Sequence, residues 1–247
     1  MKTNVPKILH WVWFNFKDPS VESDPPENRF PFQESWIEHH PDWEVKVWKD
    51  ADARMFLKEH YRWFLPIYDS YPAGIFRADA IRYFLLYHFG GVYTDWDVEC
   101  HRSIEPLICE PGVEFYAFQE PNPGFSTCNG LMAATPKSSF LKAAIRNLKT
   151  AHRAGFTDVI GTTGPGFLTR EFMSYSFVEE LKAYPTHFLF PAGFQIRNAL
   201  GDLKVRESLV EEAGSYFIHV WDTSWVWDVE DDRKKKKKFN RRRLTLR

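Results

Sequence analysis

The chain has 247 residues and a formal net charge of −1, from 32 basic and 33 acidic side chains. The charges are unevenly placed, since ten Lys and Arg residues and no acids lie between Arg233 and Arg247. The rest of the chain therefore carries 22 basic and 33 acidic residues. Because phosphate backbones require a basic surface, this acidic body argues against nucleic acid as the main substrate.

The cysteines and the hydropathy pattern bear on the cellular compartment. The chain has three cysteines and no Cys-x-x-Cys pair: Cys100, Cys109 and Cys128. An odd number of cysteines with this spacing is more typical of reduced thiols than of a set of disulfide bonds. The first residues lack the apolar core of a signal peptide, and no stretch approaches the roughly 20 apolar residues of a membrane-spanning helix. We therefore expect a cytoplasmic protein without a membrane span.

Hydrophobic periodicity and turn residues predict strands that alternate with helices. The predicted strands cover 7–14, 43–48, 92–94, 115–119, 128–134 and 216–220. The predicted helices cover 32–40, 51–60, 73–89 and 138–153, with Asp50 as the expected cap of the second and a tight turn at 161–166 before a fifth. This alternation predicts an α/β fold whose mainly parallel sheet is covered by helices on both faces.

The length fits one domain, which we place at residues 1–232. The basic segment 233–247 follows it, and a run of like charges cannot bury enough apolar surface to fold alone. We therefore expect a disordered tail. It has three interpretations: a solubilising tail, a patch like a nuclear-localisation signal, or a tether to anionic lipid or nucleic acid.

Two carboxylates separated by one residue, Asp95 and Asp97, follow the strand predicted at 92–94. Side chains alternate along a strand, so both acids should point to the same side, where they repel each other unless a cation lies between them. Carboxylate oxygens suit Mg²⁺ or Mn²⁺, which also bridge diphosphate oxygens. The segment therefore predicts a divalent metal site at the carboxyl end of a strand, where open α/β sheets bind ligands.

A second charged pair precedes this segment on the helix predicted at 73–89. Asp79 and Arg82 are three residues apart and so share one face of the helix. They are either a surface ion pair that contributes little to stability, or residues that face the site and bind sugar hydroxyls. Gly90 and Gly91 end the helix and are expected to let the backbone pass close to a ligand.

Several motifs together resemble glycosyltransferase family 32, which includes fungal initiating α-1,6-mannosyltransferases and relatives of the clostridial glucosylating toxins. The central motif reads Arg77-Ala-Asp79, Arg82-Tyr83, Gly90-Gly91-Val-Tyr93 and Asp95-x-Asp97. The opening motif reads Pro6-Lys7-Ile8-x-His10-x-x-Trp13, and the closing one His219 with Ser224-Trp225. The motifs span roughly residues 5–227. One departure is Trp96, which either narrows the sugar pocket or packs behind it.

The resemblance implies a GT-A fold, an α/β sandwich that binds a nucleotide, and a set of site residues. It implies that Asp97 binds the metal, that Asp95 contacts the ribose, the sugar or metal-bound water, and that Asp79 and Arg82 hold the sugar and ribose. The remaining implied positions are Trp13 for stacking on uracil, Asn129 for lining the sugar, Ser224 and Trp225 for closing over the diphosphate, and His219 or Asp222 as a further metal ligand. For Asn129, a plain Asn-Gly turn is an equal alternative.

The resemblance further implies a retaining transferase that moves a hexose, with glucose favoured, from a UDP-sugar to a hydroxyl acceptor such as a glycan, with Mn²⁺ or Mg²⁺ as cofactor. Asp79, Arg82, Asp95 and Asp97 would carry the catalysis. The alternative is a degenerate transferase that binds nucleotide or glycan without turnover. A metal-dependent phosphotransferase or hydrolase lacks support, because the sequence has neither a nucleophilic Asp near its start nor a Gly-rich phosphate loop. Glu120 follows a predicted strand, where it either meets the acceptor or is a solvated strand end.

Overall fold

The computed structural model describes residues 5–15, 21–154 and 158–221. Its strands are β1 Ile8–Val12, β2 Glu44–Trp48, β3 Gly91–Thr94, β4 Val98–Cys100, β5 Phe115–Gln119, β6 Thr127–Ala134, β7 Leu181–Tyr184 and β8 Phe217–His219. Its α-helices are α1 Phe30–His39, α2 Asp50–His60, α3 Leu65–Ser70, α4 Gly74–Phe89, α5 Ser139–Arg153, α6 Val159–Thr162, α7 Pro165–Ser174 and α8 Leu203–Ala213. The domain boundary at 232 and the tail 233–247 lie outside the described residues.

The described strands form a six-stranded sheet in the order β2-β1-β3-β6-β5-β7 and a two-stranded sheet of β4 and β8. In the large sheet β6 runs against its neighbours β3 and β5, while β1 is parallel to both β2 and β3, and β5 is parallel to β7. The prediction of an α/β fold with a mainly parallel sheet is confirmed. Among the described helices, none is both long and apolar enough to cross a bilayer.

Hydrophobic side chains pack on both faces of the large sheet. Neighbouring residues of β5 alternate between the two clusters: Phe115 packs with the helices on one face, and Tyr116 with the other face. The first cluster includes the buried face of α4, and the second includes Trp36 of α1. The predicted covering of both faces by helices is confirmed.

The structure corrects two local predictions. Asp50 does not cap α2 but is its first residue, and its buried carboxylate accepts a hydrogen bond from the hydroxyl of Tyr68 at 2.8 Å. Lys49 takes the cap position, and its backbone N–H donates to Oδ2 of Asp52 at 3.1 Å. The turn predicted at 161–166 is partly helical, because α6 ends only at Thr162 and α7 begins at Pro165.

The two glycines after α4 were expected to approach a ligand, and this prediction is wrong. Gly91 has a φ of +93°, and a Cβ there would lie 2.6 Å from the carbonyl oxygen of Ile8. The close approach is therefore between β1 and β3. His10 of the opening motif stabilises the same junction, since its Nε2 lies 3.0 Å from the carbonyl oxygen of Gly90. Burial lowers the pKa of His10 to about 4, which keeps this imidazole neutral.

Candidate active site

A cavity of about 380 Å³ lies where β1 and β3 end. Among its lining residues are seven of the predicted site residues: Trp13, Asp79, Arg82, Asp95, Asp97, Asn129 and His219. The other predicted residues, Asp222, Ser224 and Trp225, lie outside the described residues. The structure thus brings together residues that the sequence separates by as many as two hundred positions, at the sheet edge where α/β folds bind ligands.

Asp95 and Asp97 converge because the chain turns, not because a strand alternates. β3 ends at Thr94, and the N–H of Val98 donates to the carbonyl of Asp95 at 3.3 Å. The N–H of Asp95 donates to the carbonyl of Gly130 on β6 at 2.7 Å, which fixes the start of the turn. A Cβ on Gly130 would lie 2.5 Å from Oδ2 of Asp95, so glycine leaves room for this carboxylate.

Three residues are placed to hold a cation. The ligand atoms of Asp95, Asp97 and His219 all lie within 4.8 Å of one another, and Nε2 of His219 is 3.3 Å from Oδ1 of Asp97. Within the described chain, Nδ1 of His219 has no hydrogen-bond partner although it is buried. Two carboxylates with one imidazole form a donor set that fits Mn²⁺ or Mg²⁺, so the residues fit the implied metal.

The charges of the metal-site residues are set by one another. Burial raises the pKa of Asp97, but attraction to His219 and a hydrogen bond from it outweigh burial, so the pKa lies below its usual value. Burial lowers the pKa of His219, but attraction to Asp97 outweighs it and holds the pKa above its usual value. Without a metal the two side chains form an ion pair, and a cation would displace the proton from His219.

The helix α4 contributes two buried charges, Asp79 and Arg82, to a network that includes the partly exposed Asp95. Arg82 lies 2.9 Å from Oδ1 of Asp79 and 3.3 Å from Oδ1 of Asp95, and its guanidinium sits 4.4 Å from the ring centroid of Tyr93. It also donates to the carbonyl of Asn129 at 2.7 Å. The interpretation of Asp79 and Arg82 as a surface ion pair is wrong, since their exposed fractions are 5% and 3%.

Asn129 lies within β6 and not in a turn, which removes the Asn-Gly turn alternative. Its Nδ2 donates to Oδ1 of Asp79 at 3.0 Å, and Thr163 approaches Oδ2 of the same carboxylate at 3.4 Å. Burial nevertheless raises the pKa of Asp79 to about 6, with Arg82 acting against it and Asp95 with it. Asp79 is therefore held in one orientation by neighbours from three elements.

Two tryptophans form another part of the cavity wall. Trp13 follows β1, is half-buried, and donates from Nε1 to Oγ of Ser23 at 3.2 Å. Its ring meets that of Trp96 edge-on at 5.7 Å between centroids, and Trp96 also packs against Trp11 at 6.0 Å. Trp96 thus both lines the cavity and packs behind it. The stacking role of Trp13 stays a prediction.

Sequence reasoning missed several cavity residues. Tyr93 donates from its hydroxyl to Oδ1 of Asp95 at 2.5 Å, and its place in the central motif was the available signal. Arg29 lies in a short 3₁₀ turn, Glu27–Arg29, inside a segment rich in proline and charge, where no pattern marks it. Burial lowers the pKa of Arg29, although attraction to Asp97 opposes it.

Comparison with known proteins agrees with this geometry. Residues 26–114 match the family described as "Glycosyltransferase sugar-binding region containing DXD motif". Inositol phosphoceramide mannosyltransferase 1 of Schizosaccharomyces pombe is 37% identical over 177 residues, covering 69% of this chain and 52% of that protein. Mannosyl phosphorylinositol ceramide synthase SUR1 of Saccharomyces cerevisiae is 32% identical over 197 residues, covering 78% and 48%. The chain spans about half the length of these relatives.

Among solved structures, the PaToxG glycosyltransferase superposes with a TM-score of 0.50 at 13% identity, covering 85% of this chain and 76% of that one. At this identity the likeness concerns the fold alone, and it confirms the predicted GT-A architecture.

Proposed function

We propose that this chain transfers mannose from a nucleotide diphosphate sugar with the help of a divalent cation. The chain belongs to the glycosyltransferases whose sugar-binding region contains a DXD motif. The acceptor we propose is a hydroxyl of an inositol phosphate lipid. Mannose takes the place of glucose as the favoured sugar, because two of the relatives are named for mannosyl transfer to inositol phosphoceramide. The nucleotide of the proposed donor is either UDP or GDP.

One observation carries this proposal: the ligand atoms of Asp95, Asp97 and His219 converge within 4.8 Å in the cavity that also holds Asp79. A cation bound there would offset the charge that develops on a leaving diphosphate. A donor placed at this metal site has the α4 network beside it. The cavity therefore has the parts that nucleotide-sugar transfer needs.

The residues of the chain have separate tasks in this proposal. Asp97 and His219 hold the cation, while Asp79 and Asn129 orient the sugar hydroxyls. Arg82 is a positioning residue, because its guanidinium forms ion pairs with Asp79 and Asp95 and donates to the carbonyl of Asn129. We also propose transfer with retention, which the family resemblance supports and which the anomeric configuration of the product would test.

We also propose a cytoplasmic location and name a second candidate function. A cytoplasmic location is supported by the three free cysteines, Cys100, Cys109 and Cys128. A role in binding without turnover is the second candidate. The intact pair of Asp95 and Asp97 together with the ordered network around Asp79 counts against it, since a protein that only binds has no need of them.

The test is calorimetric binding of GDP-mannose and UDP-glucose with Mn²⁺ or with EDTA, followed by a measurement of free sugar released without acceptor. We expect Mn²⁺ to raise the affinity for one donor, and Asp97→Asn to lose most of that gain while remaining folded. Asp42→Asn, which removes an exposed acid, is the matched control and should behave as the wild type. Equal affinity with Mn²⁺ and with EDTA would falsify the metal site, and binding without sugar release would favour the second candidate.

A further inference from the structure

Glu120 is a half-buried carboxylate in the cavity wall that neither the metal site nor the α4 network uses. It follows β5 directly, and its N–H donates to the carbonyl of Ser126 at 2.8 Å, which closes the loop between β5 and β6. Because β6 is antiparallel to both β3 and β5, this loop lies at the same sheet edge as Asp95. Glu120 therefore shares one cavity with the proposed donor site.

Two neutral side chains hold one oxygen of this carboxylate. Oε2 accepts from Nδ2 of Asn122 at 2.9 Å and from Oγ of Ser126 at 3.0 Å. Over the described ranges, Oε1 accepts no hydrogen bond, and Glu120 forms no ion pair with Lys or Arg. Burial raises the pKa of Glu120, and attraction to His219 offsets this only in part. A carboxylate that is partly out of water with one oxygen unpaired costs stability, and such groups in clefts are candidates for function.

The charge of Glu120 limits what Oε1 can bind. An ionised carboxylate only accepts hydrogen bonds and repels phosphate, so its partner must be a hydrogen-bond donor without a negative charge. The diphosphate of a donor is assigned to the metal site at Asp97 and His219, and the attraction between His219 and Glu120 shows that Glu120 lies near this site. A hydroxyl of the acceptor is then the group that fits beside Glu120.

We propose that Glu120 binds the acceptor: Oε1 accepts a hydrogen bond from a ring hydroxyl and thereby orients the ring for transfer. The inference rests on the proposed function, because it requires a sugar donor in the same cavity. It assigns the acceptor a neutral polyol ring, a cyclitol or a sugar, with any phosphate directed away from Glu120. Asn122 and Ser126 are positioning residues, since they hold Oε2 of the carboxylate and leave Oε1 for the acceptor.

The test uses the full chain with Mn²⁺, the donor that the wild type hydrolyses, and free myo-inositol as the acceptor probe. The readout is the ratio of glycosylated inositol to free sugar. Glu120→Gln keeps the shape and one oxygen for Asn122 and Ser126, but it replaces the accepting Oε1 by an amide donor. We expect this ratio to fall about 10- to 100-fold, as for the loss of a hydrogen bond to a charged group.

Two further variants make the test specific. Ser126→Ala loosens the carboxylate without removing it and should lower the ratio by a smaller factor, about two- to tenfold. Glu207→Gln removes an exposed acid on α8 and should leave the ratio at its wild-type value. If Glu120→Gln fails to fold, Ser126→Ala decides. A purely structural role of Glu120 predicts lower melting temperatures with an unchanged ratio.

The outcomes separate this inference from the proposed function. Equal ratios in the wild type and in Glu120→Gln, or donor turnover with no inositol product in the wild type, overturn the acceptor role alone. Absence of sugar release from both donors with Mn²⁺ overturns the proposed function, and the acceptor role with it.

Discussion

The cavity has two walls that differ in how their polar groups are satisfied. The α4 wall, formed by Asp79, Arg82 and Asn129, is more than nine-tenths buried, and each member has a partner within the protein. The metal wall, formed by Trp13, Asp97 and His219, is only partly buried. Nδ1 of His219 has no hydrogen-bond partner in the described part of the chain. The polar side chains of the first wall are already held in place by the protein before a ligand binds, whereas the second wall includes a buried nitrogen, Nδ1 of His219, that a ligand can engage.

This difference shows that the α4 wall is preorganised before substrate binds, whereas the metal wall changes its contacts when a ligand binds. The α4 wall stands on a 16-residue helix and on β6, an interior strand of the large sheet. The metal wall stands on a turn and on β8, a strand of three residues. A preorganised network holds its geometry before substrate arrives. Substitutions in the α4 wall should therefore affect stability most, and those in the metal wall should affect ligand binding most.

The largest expected effect is the loss of folding stability when the α4 wall is disrupted. Arg82→Met leaves Asp79 and Asp95 without their shared cation, and breaking a buried ion pair costs about 3–5 kcal/mol. Chemical denaturation measures the loss in the free energy of unfolding. Arg54→Met is the matched control, because the Arg54–Asp69 pair is largely exposed and such pairs contribute about 0–1 kcal/mol. Equal losses in the two variants would show that the α4 network contributes no more to stability than a surface ion pair.

The pH dependence of the unfolding free energy tests the buried state of Asp79 in the α4 wall. Burial raises its pKa from 3.8 to about 6, so between these values the folded state binds more protons than the unfolded state. Stability therefore falls as the pH rises from about 4 to about 6, by up to about 3 kcal/mol. Asp79→Asn, which does not titrate, should lack this contribution. The measurement is the difference in unfolding free energy between wild type and variant at several pH values, and a constant difference would contradict the raised pKa.

The smallest expected effect is a loss of nucleotide affinity when Trp13 of the metal wall is replaced. Trp13→Ala should weaken nucleotide binding by about one to two decades, because stacking of a base on an aromatic side chain contributes about 1–3 kcal/mol. Trp13→Phe keeps a ring and should lose less. Both variants should stay folded, since Trp13 is only half-buried. Native affinity in Trp13→Ala, measured by calorimetry with Mn²⁺, would make Trp13 a packing residue beside Trp96.

Much of the site could be predicted because its parts are local patterns. The alternation of strands and helices follows from hydrophobic periods, which depend on neighbours within a few residues. The shared helix face of Asp79 and Arg82 follows from an equally short spacing. The pair Asp95 and Asp97 was found from its spacing as well, although a turn after β3 and not strand alternation brings the two carboxylates together. The short strands β4 and β7 were missed, since three or four residues hold too little periodicity to stand out. For Glu120 the predicted strand before it left two interpretations open, an acceptor contact or a solvated strand end, and no local pattern placed Arg29 in the cavity.

By itself, then, the sequence determined the longer strands and helices and the positions of the ionisable residues, because those depend on local chemistry. Only the tertiary structure decided which of these residues meet. Asp97 reaches His219 because β4 pairs with β8 across more than a hundred residues. Arg82 is buried and not exposed because β6 packs beside β3 and brings Asn129 to it. Such contacts depend on how the sheet orders its strands, which no short-range pattern encodes.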